Sequence, residues 1–242
     1  MSSRKEQKEQ LRREREEREA AERAAGKRKR LVGYAAGAVV VILALAVAGF
    51  LLVSGDDEGG GSTDTGADVL PDGGEVPEQE ITGLDEAAAA ASCELKSFPG
   101  KEGNRDHITD PNEVPAYSSN PPSEGRHTDP PVEDGSYEEA PDVKPLVHNL
   151  EHGRAIVWFQ KELPAEQRAN LKALFDEDPY QMVLVPNETD MTYQVAATAW
   201  SRDPEPLGTG RLLGCDTYDE KVFDAIRAFK DEHRGNGPEA IP

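Results

Sequence analysis

Leu31 to Val53 reads LVGYAAGAVVVILALAVAGFLLV, a run of 23 residues without a charge. In an α-helix, at about 1.5 Å per residue, such a run covers roughly 35 Å. A bilayer core is about 30 Å thick, so the segment is long enough to span it with modest tilt. A backbone in lipid has no water to bond to, and a continuous helix satisfies it internally. We therefore expect one transmembrane helix at 31–53. Lys27, Arg28, Lys29 and Arg30 precede the run, and Asp56, Asp57 and Glu58 follow it. Basic flanks stay in the cytoplasm, which places the N-terminus inside and the rest of the chain outside. The alternative is a cleaved leader. Its apolar region runs to about 7–15 residues, so the longer stretch here favours an anchor that is kept.

The span divides the chain into four expected parts. Residues 1–30 form a cytoplasmic charged helical arm with 12 Lys and Arg against 7 Asp and Glu. Pairs such as Glu14–Arg18 and Glu19–Arg23 sit at i,i+4 spacing and support a solvated helix. Leu11 is the only large apolar residue in the stretch 3–24, which rules out a heptad coiled coil. The basic cluster at Lys27–Arg30 would be drawn to anionic lipid headgroups, so membrane lipid is an expected partner. Residues 31–53 are the transmembrane helix. Residues 54–84, rich in Gly, Asp, Ser and Pro, form a flexible acidic linker. Residues 85–242 form an extracytoplasmic globular domain, large enough for one core. After the span the chain carries 15 basic and 40 acidic residues, a balance that repels phosphates and excludes nucleic acid as a partner.

The domain reads as α+β, a small mostly antiparallel sheet packed with two helices. Lys144–Asn149 and Gly153–Gln160 look like strands joined by a tight connection. Met182–Pro186 and Thr192–Trp200 also have strand composition. Pro164–Asp176 is an amphipathic helix with Leu171, Leu174 and Phe175 on one face. Asp219–His233 is the last helix, stopped by Gly235. Leu84–Ser92 reads as a short helix leading into the domain. The stretch 99–143 has no periodicity, and a loop that long is functional or disordered.

Cys93 and Cys215 are the only cysteines. On the outer side of a membrane a disulfide between them persists. Two free thiols or a metal-ligand pair are the alternatives; without a CxxC the metal signal is weak. The five histidines, His107, His127, His148, His152 and His233, all follow the span. His148-Asn149-Leu150-Glu151-His152 matches H-x-x-E-H, the inverted zinc-peptidase motif. That motif requires a helix. Here it opens onto a strand pattern, which counts against a peptidase. A turn would still bring two imidazoles and a carboxylate together, with His127 as third ligand and His107 as the next. Imidazole suits zinc, copper, iron and nickel alike, so the identity stays open within an expected transition-metal cofactor such as copper or zinc. Met191 is a soft ligand if copper is bound, or a core residue. His233, near a helix C-terminus, reads as a cationic cap.

The sequence also resembles a bacterial envelope family known only as a domain of unknown function, number 3105 in its series. The resemblance runs over about 93–239. It rests on Cys93, His107, Tyr117, PPSEGRH at 121–127, Gly135 and Tyr137, VHNLEHG at 147–153, Thr198–Trp200 and Gly237-Pro238-Glu239. Glu124 stands where that pattern has Ser. The resemblance places His107, His127, His148 and His152 at motif positions and leaves His233 outside. It implies an anchored envelope protein and supplies no activity.

Three functions compete. The first is a metal-binding module outside the membrane. The second is a structural or interaction protein of the envelope, with histidines that only organise the long loop. The third is a metal-dependent hydrolase with Glu151 as base. Glu239 either docks the C-terminus or completes a site. Arg126 and Arg154 are candidates for an anion, although scattered arginines in an acidic domain are usually solvated.

Overall fold

The computed structural model describes residues 70–239. The expected arm, the expected transmembrane helix at 31–53 and the first half of the expected linker lie outside these residues. Among the described residues, no helix is long and apolar enough to cross a membrane.

The order of elements is α1 (Leu84–Ala90), β1 (Cys93–Pro99), β2 (Gly135–Ser136), α2 (Val143–Glu151), β3 (Ala155–Phe159), α3 (Ala165–Glu177), β4 (Met182–Pro186), β5 (Val195–Ser201), β6 (Thr209–Cys215) and α4 (Val222–His233). The six strands form one sheet in the order β1-β6-β5-β3-β4-β2. β1, β6, β5 and β3 pair antiparallel, whereas β4 runs parallel to β3 and β2 runs parallel to β4. The fold is thus α+β, but the sheet is mixed and four helices accompany it, where two helices and a mostly antiparallel sheet were expected.

Both faces of the sheet are covered, and β3 shows how. All five of its residues are buried, the pattern of a strand covered on both sides. Ala155, Val157 and Phe159 join one core with Leu171, Leu174, Phe223, Ile226 and Phe229 from α3 and α4. Ile156 and Trp158 join a second core with Leu146, Val147 and Leu150 of α2 and Trp200 of β5. Successive strand residues face opposite ways, so one short strand serves both.

The expected strand at Lys144–Asn149 is a helix. Asp142 caps α2 by accepting from the Lys144 amide at 3.0 Å. Pro145 falls in the first turn, where no amide donor is needed. Val143, Leu146, Val147 and Leu150 recur at i, i+3, i+4 and i+7, one face of a helix. Leu146, Val147 and Leu150 are fully buried, each contributing about 1.5–3 kcal/mol by transfer from water. The helix stops at Gly153, whose φ is +82°. The Gly153 amide donates to the Leu150 carbonyl and the Arg154 amide to the Asn149 carbonyl, both at 3.0 Å, the paired bonds of a left-handed C-terminal stop.

Cys93 and Cys215 face each other across β1 and β6 and form a disulfide. Neither strand was anticipated. Part of the expected linker is also packed: Leu70 is buried in the core with α3 and α4. The Glu80 and Ile81 amides donate to Asp224 Oδ2 of α4 at 3.0 and 2.9 Å. Arg227 donates to the Pro77 carbonyl at 2.9 Å.

A candidate metal centre

The long stretch between β1 and α2 wraps over the open end of α2. The Ile108 amide donates to the His127 carbonyl at 2.6 Å, and His107 and His127 form an isolated parallel bridge. The buried Asn149 side chain ties the same stretch to α2, accepting from the Val132 amide at 3.0 Å and donating to the Val132 carbonyl at 2.9 Å. Tyr117 Oη donates to the Arg126 carbonyl at 3.3 Å. The segment is therefore ordered over the face of the sheet that carries Trp200, whose ring lies 6.3 Å from that of His127.

Three imidazoles meet there. Ring centroids of His107, His127 and His148 stand 4.8, 4.9 and 4.7 Å apart, close to an equilateral triangle. Each is held through Nδ1. His127 Nδ1 lies 2.9 Å from the Gly125 carbonyl oxygen. His107 Nδ1 lies 2.6 Å from Asp129 Oδ2. His148 Nδ1 lies 3.1 Å from the Thr128 carbonyl oxygen and 3.2 Å from Asp129 Oδ1. An oxygen beside Nδ1 fixes the proton there and leaves the lone pair on Nε2. One carboxylate, Asp129, orients two rings.

Glu151 ends α2 and completes the group. One ligand atom from each of His107, His127, His148 and Glu151 lies within 4.8 Å of the corresponding atom of every other. Ligand atoms on a tetrahedral ion at about 2.1 Å stand about 3.4 Å apart, so a small contraction closes this group on one ion. Arg105 Nε donates to Glu151 Oε1 at 2.7 Å, which leaves Oε2 facing the histidines. His127, His148 and Glu151 are buried, and His107 is exposed, so the centre opens on the His107 side.

The charges suit a cation. Burial opposes ionisation of Glu151, but His127 and Arg105 outweigh it, and its carboxyl falls below the usual range. Burial pushes the His148 pKa down, and burial followed by His148 does the same to His152. Neutral imidazoles and an ionised carboxylate are the forms that bind metal.

His152 caps α2 and stands just outside the group of four. Its Nε2 is 3.0 Å from His148 Nε2 and 3.8 Å from Glu239 Oε2. The H-x-x-E-H motif therefore lies at a helix end, contrary to the strand context expected, with His148 and His152 on one side. Met191 packs in the core with Leu146 and Trp200. His233 is in the last turn of α4, but burial, followed by Arg211, pushes its pKa down to about 4. It is neutral at pH 7, where a cationic cap was expected. Arg126 and Arg154 pair with Glu113 at 2.9 Å and Asp134 at 3.1 Å.

Arg105, Asp129, Thr128 and Asn149 do the holding, and sequence reasoning named none of them for that work. Asn149 sits inside the motif and Thr128 and Asp129 follow His127 directly, which is the only signal they carry.

A mixed-sheet α+β domain with a histidine–carboxylate cluster at one helix end defines the class. The chain belongs to the family described as "Protein of unknown function (DUF3105)", whose model matches residues 107–241. That match covers the whole cluster, from His107 to Glu239. No curated protein matches the chain. No solved structure matches it either.

Proposed function

We propose that this protein is a membrane-anchored, extracytoplasmic metal-binding module. Its centre is formed by His107, His127, His148 and Glu151. The observation that carries the reading is the contact between His127 and Glu151. His127 Nε2 and Glu151 Oε2 lie 3.0 Å apart, both side chains buried, and among the described residues His127 Nε2 has no well-aligned hydrogen-bond partner. His127 Nδ1 faces the Gly125 carbonyl, so either a second proton on the ring or a shared metal ion joins Nε2 to the carboxylate, and the metal takes the place of that proton. Three nitrogens and one oxygen are the donors of a divalent first-row ion such as zinc or copper(II). Met191, the soft donor a copper(I) site needs, belongs to the core.

The anchor rests on the uncharged run 31–53 and its basic flank. The outer location rests on the same flank and on the Cys93–Cys215 disulfide, a bond of oxidising compartments. The hydrolase reading loses ground, because Glu151 is itself a donor of the centre and its other oxygen accepts from Arg105, so it is not free to act as a base beside the ion.

Elemental analysis of the purified full chain tests the proposal. A divalent transition ion should copurify or bind from micromolar solution at one per chain, and alanine at His127 and His148 together should abolish it. A wild-type chain that takes up no such ion overturns the reading and leaves the histidines as organisers of the loop.

A further inference from the structure

Residues 235–239 return to the end of α2 from the far end of the chain. The Gly235 amide donates to the Gly153 carbonyl at 2.8 Å, and the Glu239 amide donates to the Glu151 carbonyl at 3.0 Å. The approach is as close as backbone allows. A Cβ on Gly237 would stand 2.3 Å from both the Glu151 oxygen and the Gly153 nitrogen. A larger residue at 237 therefore cannot sit in this seat. The Arg202 amide, from the loop after β5, donates to the Asn236 carbonyl at 2.8 Å and holds the segment from its other side.

This seating delivers one carboxylate to the cluster. Glu239 Oε2 reaches 3.8 Å from His152 Nε2, and His152 Nε2 is 3.0 Å from His148 Nε2. Two ligands of one ion with bonds of about 2.0–2.1 Å stand about 3 Å apart at right angles and about 4 Å apart when opposite. Both separations fall in that range. His148 Nδ1 faces the Thr128 carbonyl, so its Nε2 has only a lone pair to offer His152. The side chain of His152 is 11 % exposed and that of Glu239 is 45 % exposed, so this side of the cluster meets solvent where the side of His127 and Glu151 does not.

We propose that His152 and Glu239 are further ligands of the same metal ion, closing over the group of four and fastening the C-terminal segment to α2 when metal is present. This rests on the metal-binding reading above. The inner donors, His127, His148 and Glu151, form the buried floor of the site. His152 and Glu239 supply the closing side, and the backbone bond from Glu239 to the Glu151 carbonyl ties closure to an inner ligand.

The test compares the full-length wild type with Glu239→Gln and Glu239→Asp, using zinc(II) for affinity and cobalt(II) as a visible probe. Glu239→Gln should weaken zinc by about tenfold or more, the usual cost of disturbing a centre at its margin. It should also intensify the cobalt bands, because loss of a ligand moves the ion toward four-coordination. In the wild type, zinc should slow hydrogen exchange at the Gly235 and Glu239 amides, and that effect should vanish in Glu239→Gln. Glu239→Asp, with a shorter reach, should fall between the two. Unchanged affinity, spectrum and zinc-dependent protection in Glu239→Gln overturn this proposal while leaving the inner centre intact. Failure of the wild type to bind zinc or cobalt overturns the metal-binding reading and this inference together.

Discussion

His127 Nε2 and Glu151 Oε2 lie 3.0 Å apart in a site that water barely reaches. A metal ion shared between them takes the place of a proton and makes a bond to each, so metal should stabilise the fold. At a metal concentration of about 100 times Kd, linkage gives about 2.7 kcal/mol. For a domain of this size that is a rise in Tm of roughly 5–10 °C, at about 2–4 °C per kcal/mol. Differential scanning calorimetry with zinc and with chelator should show the rise in the wild type and its loss in Glu151→Gln. An equal rise in both would place the ion elsewhere.

Asp129 touches Nδ1 of both His107 and His148, at 2.6 and 3.2 Å, while its own side chain is 59 % exposed. Its exposure makes it a small contributor to stability, and its geometry makes it the element that aims two ligands. Asp129→Asn should lower zinc affinity about 10–100-fold with a change in unfolding free energy within about 0.5 kcal/mol. A competition titration beside a urea melt separates the two effects. A variant that loses stability but keeps its affinity would make Asp129 a structural residue only.

Periodicity carried some elements of this fold and hid others. Met182–Pro186 is an apolar run between turns and folds as the strand it resembles. The helix at Ala165–Glu177 follows from Leu171, Leu174 and Phe175 on one face. β1 was not visible, because CELKSFP lies at the sheet edge with most of its residues exposed. β6 was obscured by two glycines and an arginine in TGRLLGC. For α2 the helical spacing at 143, 146, 147 and 150 is present in the sequence, but 144–149 is short and leads directly into the strand pattern of 153–160, which favours a hairpin reading. The spacing of His148 and His152, with His127 and His107 beyond, pointed to the cluster. The oxygens that fix each Nδ1 come from folding of the loop and follow no spacing rule, so Arg105, Thr128 and Asp129 could not be read in advance.

Cys93 and Cys215 close a loop with a sequence separation of 122. On the chain-entropy account a crosslink of that span stabilises by about 4–5 kcal/mol, acting on the unfolded chain. It also pins the edge strand β1 to β6, its one strand neighbour among the described residues. Replacing both cysteines by alanine should lower the unfolding free energy in urea by about 3–5 kcal/mol, with the larger loss of exchange protection along 93–99. Uniform loss across the sheet would mean that the bond acts without any local role at the edge.

His233 gives the acid side of the stability curve. Burial, followed by Arg211, sets its folded pKa at about 4, below the unfolded value of about 6.5. The imidazole is therefore neutral in the folded state across the physiological range and packs edge-on against Phe229, with centroids 4.7 Å apart. The unfolded chain binds this proton more tightly than the folded one. Stability is thus complete above about pH 6.5 and falls as pH drops from there to about 4, by about 3 kcal/mol at full extent. His148 and His152 carry shifts of the same sign, so the wild-type curve alone does not isolate His233. The difference between wild type and His233→Gln, measured by urea unfolding with chelator present, removes their shared part. That difference should be flat above pH 6.5. Below it, the wild type should lose stability faster than the variant. A difference independent of pH from 7 to 4 would mean that His233 titrates alike in the folded and unfolded states, and that its place beside Phe229 costs the proton nothing.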